Sequence, residues 1–130
     1  MYGSTYYERA RSLKISSDGS VYIAGYTEGN LDGHDLKGTQ DAFISKYNSD
    51  GVRSWTSTIG SSIDDWRTAS VDDYFATNLY SITTGSDGSI YIAGGTEGDL
   101  DGQTNSGESD AFISKLNPEG TKDWTRLLGT

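Results

Sequence analysis

Ser17-Asp18-Gly19-Ser20-Val21-Tyr22-Ile23-Ala24-Gly25 returns as Ser86-Asp87-Gly88-Ser89-Ile90-Tyr91-Ile92-Ala93-Gly94, a displacement of 69 residues counted from Asp18 to Asp87. The same displacement carries Thr27-Glu28-Gly29 onto Thr96-Glu97-Gly98 and Leu31-Asp32-Gly33 onto Leu100-Asp101-Gly102. It also carries Asp41-Ala42-Phe43-Ile44-Ser45-Lys46 onto Asp110-Ala111-Phe112-Ile113-Ser114-Lys115, and Trp55-Thr56 onto Trp124-Thr125. The correspondence needs no gap from Ser12 to Gly60. The chain is an internal duplication, and its fold must be read one repeat at a time.

Each copy reads as four short strands. In the first they are roughly Leu13–Ser16, Val21–Gly25, Ala42–Tyr47 and Arg53–Ile59; in the second, roughly Ile82–Thr84, Ile90–Gly94, Ala111–Leu116 and Lys122–Leu128. Asp18-Gly19 and Asp87-Gly88 part the first strand from the second, and Asp50-Gly51 and Glu119-Gly120 part the third from the fourth. Such pairs mark hairpins because the turn needs a residue that accepts positive φ. A longer Gly-rich loop, about Tyr26 to Gln40, joins the second and third strands. Seventeen Gly, one Pro and nine Tyr fit an ordered all-β chain of many short strands. Four strands in about 50 residues is a meander the size of a propeller blade. In Val21-Tyr22-Ile23-Ala24 and Ala42-Phe43-Ile44 both alternating sets are apolar. A sheet with one wet face alternates apolar and polar residues, so these sheets expect cover on both faces. That favours stacked propeller blades over a sandwich of the two repeats, which would bury one face of each.

The organisation expected is a first blade over 1–60, an acidic and aromatic insertion over 61–80, and a second blade over 81–130. Gly3-Ser4, Gly60-Ser61 and Gly129-Thr130 look like one position in successive periods, and the second period is the longer by the insertion. The insertion carries its own small duplication, Ser62-Ile63-Asp64-Asp65-Trp66 and Ser70-Val71-Asp72-Asp73-Tyr74.

The pattern Asp-Gly-Ser-(Val/Ile)-Tyr-Ile-Ala-Gly, then Asp-Ala-Phe-Ile-Ser-Lys, then Asn-x-x-Gly and Trp resembles the bacterial β-propeller repeat called SBBP over nearly the whole chain. The resemblance implies blades of multi-blade arrays in bacterial surface or secreted proteins, usually with no assigned activity. Two blades cannot close a ring that takes about four to eight. A homo-oligomer of two to four chains is therefore expected, with an extracellular or cell-surface setting.

A formal net charge of −9 repels phosphate backbones and excludes nucleic acid as an expected partner. The chain has no Cys, hence no disulfide or thiolate chemistry, and no apolar run of membrane-spanning length. Met1-Tyr2-Gly3 opens without the basic start or apolar core of a signal peptide. The chain thus reads either as cytoplasmic or as a segment of a longer secreted protein.

The candidate site is the loop between the second and third strands. Asn30, Asp32 and Asp41 in the first copy, and Asp99, Asp101, Asn105 and Asp110 in the second, offer alternating oxygens around a Gly turn of the kind that can wrap Ca²⁺. Asp and Asn in such loops also serve as ordinary turn formers, and Asp41 and Asp110 could cap loop amides. Calcium is the cofactor considered. Tyr26, Trp66 and Tyr74, read as loop aromatics, are the candidates for stacking on a carbohydrate. Trp55 and Trp124, at matching strand positions, are expected to pack blade against blade. Catalysis is not expected. His34 stands alone in a polar loop, and no Gly-x-Ser-x-Gly elbow is present. The neighbouring pairs Asp64-Asp65 and Asp72-Asp73 would point to opposite faces of an extended chain. The alternatives weighed are a propeller lectin and a glycoside hydrolase using those acids.

Overall fold

The computed structural model describes residues 7–35, 40–60, 77–100, 104 and 110–129. Among the described residues there are eight strands: β1 (Glu8–Ile15), β2 (Val21–Thr27), β3 (Asp41–Tyr47), β4 (Arg53–Ile59), β5 (Thr77–Thr84), β6 (Ile90–Thr96), β7 (Asp110–Leu116) and β8 (Lys122–Leu128). They form two four-stranded antiparallel sheets in the orders β1-β2-β3-β4 and β5-β6-β7-β8, one per repeat. The first strand of each sheet is longer than its apolar residues suggest. Glu8-Arg9-Ala10-Arg11-Ser12 has no apolar alternation, yet it pairs with β2 across a bulge between Ala10 and Ser12. β5 repeats the bulge between Leu79 and Ser81. Gly25 is required opposite it, since a Cβ there would lie 1.9 Å from the Arg9 carbonyl oxygen. β5 starts at Thr77, inside the stretch 61–80 expected as an insertion.

All four hairpin turns use one device. Gly19, Gly51, Gly88 and Gly120 take φ between 82° and 91°. Each donates its N–H to the carbonyl three residues back, at 3.0 to 3.1 Å. In the first turn the Asp18 carboxylate accepts from the Ser16 hydroxyl and from the Ser20 N–H, the latter at 2.8 Å. Those bonds, Ser16 foremost, hold the Asp18 pKa down to about 2. Asp87 is lowered in the same way, chiefly by the Ser89 N–H.

Alternation gives each sheet two faces. Register puts Tyr22, Ala24, Ala42, Ile44, Trp55 and Ile59 on one face of the first sheet, here the tryptophan face. Phe43, Ser45, Thr56 and, from β1, Leu13 share the other, the phenylalanine face. The main core forms where the tryptophan face of the first sheet meets the phenylalanine face of the second, including Ile82, Ile90, Ile92, Phe112 and Leu116. Leu100, from the loop after β6, joins it. Trp55 completes the contact. Its indole Nε1–H donates to the Pro118 carbonyl at 3.2 Å, and its ring lies over Gly120, where a Cβ would come within 2.6 Å.

The two sheets are therefore not buried alike. Asp-Ala-Phe-Ile-Ser-Lys is buried through its first five residues in β3, but in β7 it alternates, with Ala111 and Ile113 exposed. Ile44 is 0 % exposed and Ile113 43 %; Ile59 is 1 % and Leu128 77 %. On the other face the inequality reverses, with Ile82 at 7 % and its counterpart Leu13 at 60 %. One tryptophan face and one phenylalanine face meet within the chain. The outer tryptophan face is open at Ile113 and Leu128, and the outer phenylalanine face is open at Leu13 and Ile15 while Phe43, Ser45 and Thr56 are buried on it.

A second repeated device closes the top of each sheet. Asp41 and Asp110, the first residues of β3 and β7, are buried. Their carboxylates lie against Gly60 and Gly129, where a Cβ would come within 2.0 Å and 1.8 Å of Oδ1. A methyl group can enter neither site unless the carboxylate moves. Gly60→Ala and Gly129→Ala should each lower stability by roughly 1–3 kcal/mol, the usual cost of overpacking, measured by denaturant titration. An unchanged midpoint would show that the carboxylates are not held there. The Asp18 turn makes a pH prediction. Its native pKa lies below the ordinary 3.8, so its contribution is complete above about pH 4 and fades as pH falls toward 2. The melting-temperature gap between wild type and Asp18→Ala should shrink across that window; a constant gap would refute the assignment.

Candidate functional site

The loop after β2 is built on a turn in which Leu31 and His34 exchange backbone hydrogen bonds at 2.9 and 3.1 Å. Leu31 is fully buried and anchors the loop. The Thr27 hydroxyl holds the loop's start, donating to the Gly29 carbonyl at 2.9 Å and accepting from its N–H. Thr96 and Gly98 repeat this in the second copy. His34 Nε2 lies 3.0 Å from the Thr56 carbonyl oxygen, pinning the loop to β4. The lone histidine thus has a structural contact.

The expected oxygen ligands go to different places. Asp32 takes φ 50° beside Gly33, and its Oδ1 accepts from the Arg53 guanidinium at 2.8 Å. Asn30 and Asp99 are exposed, whereas Asp41 and Asp110 are the buried carboxylates against Gly60 and Gly129. Asp101 and Asn105 lie outside the described residues. Among the described residues no three His, Cys, Asp or Glu side chains come together as a metal would require. Of the aromatic candidates, Tyr26 is corrected: it stands in β2, not in a loop, and is buried on the tryptophan face with the Arg11 guanidinium 5.4 Å from its ring centroid. A ring so covered has little surface for stacking on a sugar. Trp66 and Tyr74, with Asp64, Asp65, Asp72 and Asp73, lie outside the described residues.

What the structure does present is a prepared surface on the second sheet. Tyr91 and Trp124 meet at a centroid distance of 6.5 Å and 58°, nearly the 6.3 Å and 55° of Tyr22 and Trp55. Lys115 Nζ stands 5.9 Å from the Tyr91 ring centroid, as Lys46 Nζ stands 5.7 Å from that of Tyr22. On the opposite face, Ser114 and Thr125 share a buried 2.8 Å hydroxyl hydrogen bond, matched by Ser45 and Thr56. The second sheet therefore holds its tryptophan in the pose the first uses to bind a neighbouring blade. Sequence reasoning placed Trp124 in blade packing but missed that its face is open, because the two copies spell the same residues.

Residues 85–125 match the family model described as a domain of unknown function (DUF5122) beta-propeller. The chain is also 31 % identical over 143 residues to the regulatory protein FlaEY of Caulobacter vibrioides, an alignment that covers 98 % of this chain and 14 % of that protein. The chain thus spans about one seventh of the curated relative it matches. These matches support a β-propeller repeat family without singling out the SBBP type. Sheet order, register and the matched repeat agree that the chain is built of two β-propeller blades.

Proposed function

We propose that this chain is a non-catalytic β-propeller repeat module of the SBBP type, a scaffold or interaction domain that self-assembles into a closed ring. The observation that carries this reading is the unequal burial of one hexapeptide: Ile44 is fully covered by the neighbouring blade while Ile113 is open. An apolar face with a ready-made aromatic anchor is the mark of a surface meant to be covered. The repeated polar groups support the same view, because Asp41 and Asp110, and the Ser45–Thr56 and Ser114–Thr125 pairs, lie within the blades. The regulatory title of the Caulobacter relative is consistent with a role in binding. The motif resemblance supports a setting in a bacterial surface or secreted protein.

Light scattering behind a sizing column, over a wide concentration range, tests the reading. The expected result is one sharp mass at two, three or four times the 14.0 kDa of a chain, giving a ring of four, six or eight blades. A folded single chain at every concentration would overturn it.

A further inference from the structure

Resting on that reading, we infer that the occupant of the open tryptophan face is a second copy of this chain, joined head to tail. The tryptophan face of the second blade seats on the phenylalanine face of the partner copy's first blade, with Trp124 on that copy's Asn48–Gly51 turn. The contact between the two blades of one chain is the template, and the residues of both its halves recur at opposite ends of the molecule, open at Ile113 and Leu128 on one and at Leu13 and Ile15 on the other.

The receiving turn is already in shape. Asn48 Oδ1 accepts the N–H groups of Asp50 and Val52 at 3.0 and 2.9 Å. Asn117 does the same for Glu119 and Thr121, at 3.1 and 3.0 Å, in the turn that carries Trp55. Gly51 has φ 82° and open space beside its Cα, where Gly120 has the Trp55 ring. The Ser49 carbonyl occupies the repeat position of Pro118, the acceptor of the Trp55 indole. Apolar partners recur at several matching positions, although Ala10 stands where the covered Leu79 stands. Ile113 and Leu128 stand where the covered Ile44 and Ile59 stand, and Leu13 stands where the covered Ile82 stands. Ser57 is replaced by Arg126, which pairs with Ile113 on the same face and whose guanidinium lies 5.6 Å from the Trp124 ring centroid. The joint uses two different surfaces, so it propagates with one polarity and ends only when a ring closes. A two-fold dimer through identical faces would need a contact the chain does not already make.

Two variants on side chains exposed in the single chain test this: Ile113→Lys on the tryptophan face and Leu13→Glu on the phenylalanine face. Each alone should run as a folded single chain by light scattering and circular dichroism. Mixed in equal amounts they should form a pair of two chains and no larger species, because one intact joint remains. Trp124→Ala should raise the concentration needed for assembly at least about tenfold, as loss of an aromatic anchor does. If Leu13→Glu dimerises alone, or the mixture stays as single chains while wild type assembles, the head-to-tail joint is wrong and self-assembly stands. A wild type that never assembles overturns both.

Discussion

A blade whose sheet is apolar on both faces must be covered twice. Within a chain of two blades only one such contact exists, between the tryptophan face of the first sheet and the phenylalanine face of the second. Most of the described structure follows from that joint. It buries Ile44, Ile59, Ile82 and Ile92 together, and it turns Trp55 across onto the Pro118–Gly120 turn. By its polarity it also leaves Ile113 and Leu128 at one end and Leu13 and Ile15 at the other. Repeat proteins meet the same constraint with capping units; a ring meets it by closure.

The joint depends on devices that work inside each blade. Positive-φ glycines set the hairpins, and the bulges opposite Gly25 and Gly94 bend the first strands. The buried Asp41 and Asp110 carboxylates hold the first residues of the third strands against the glycines that follow the fourth. Burying a carboxylate is costly unless its oxygens are met by hydrogen bonds. Its presence at the same position in both copies suits a strand end that must be held while the sheet face is offered to a neighbour. The hydroxyl pairs Ser45–Thr56 and Ser114–Thr125 do similar work at mid-sheet, where an unpaired hydroxyl would weaken the packing.

The duplication, the four-strand order and the hairpin positions were legible because turns and alternation are local properties of the chain. The beginnings of β1 and β5 were not, since Glu8-Arg9-Ala10-Arg11-Ser12 pairs through its backbone and has no apolar stripe to announce it. Tyr26 was misplaced for a related reason: the second strand read as ending at Gly25, yet its pairing with β1 on the far side of the bulge carries β2 on through Thr27. The acids in the loops read as ligands because composition cannot separate a carboxylate facing Arg53 from one packed on glycine. The unequal faces were beyond sequence altogether. Identical hexapeptides differ in burial only through what lies beside them.

An experimental structure of the assembled protein tests the repeated joint most directly, through the surroundings of Trp124. The indole N–H should lie within hydrogen-bonding distance of the Ser49 carbonyl of a neighbouring copy, close to the 3.2 Å that separates Trp55 from the Pro118 carbonyl. An assembly in which Trp124 meets its own counterpart across a two-fold axis, or faces solvent, would contradict it.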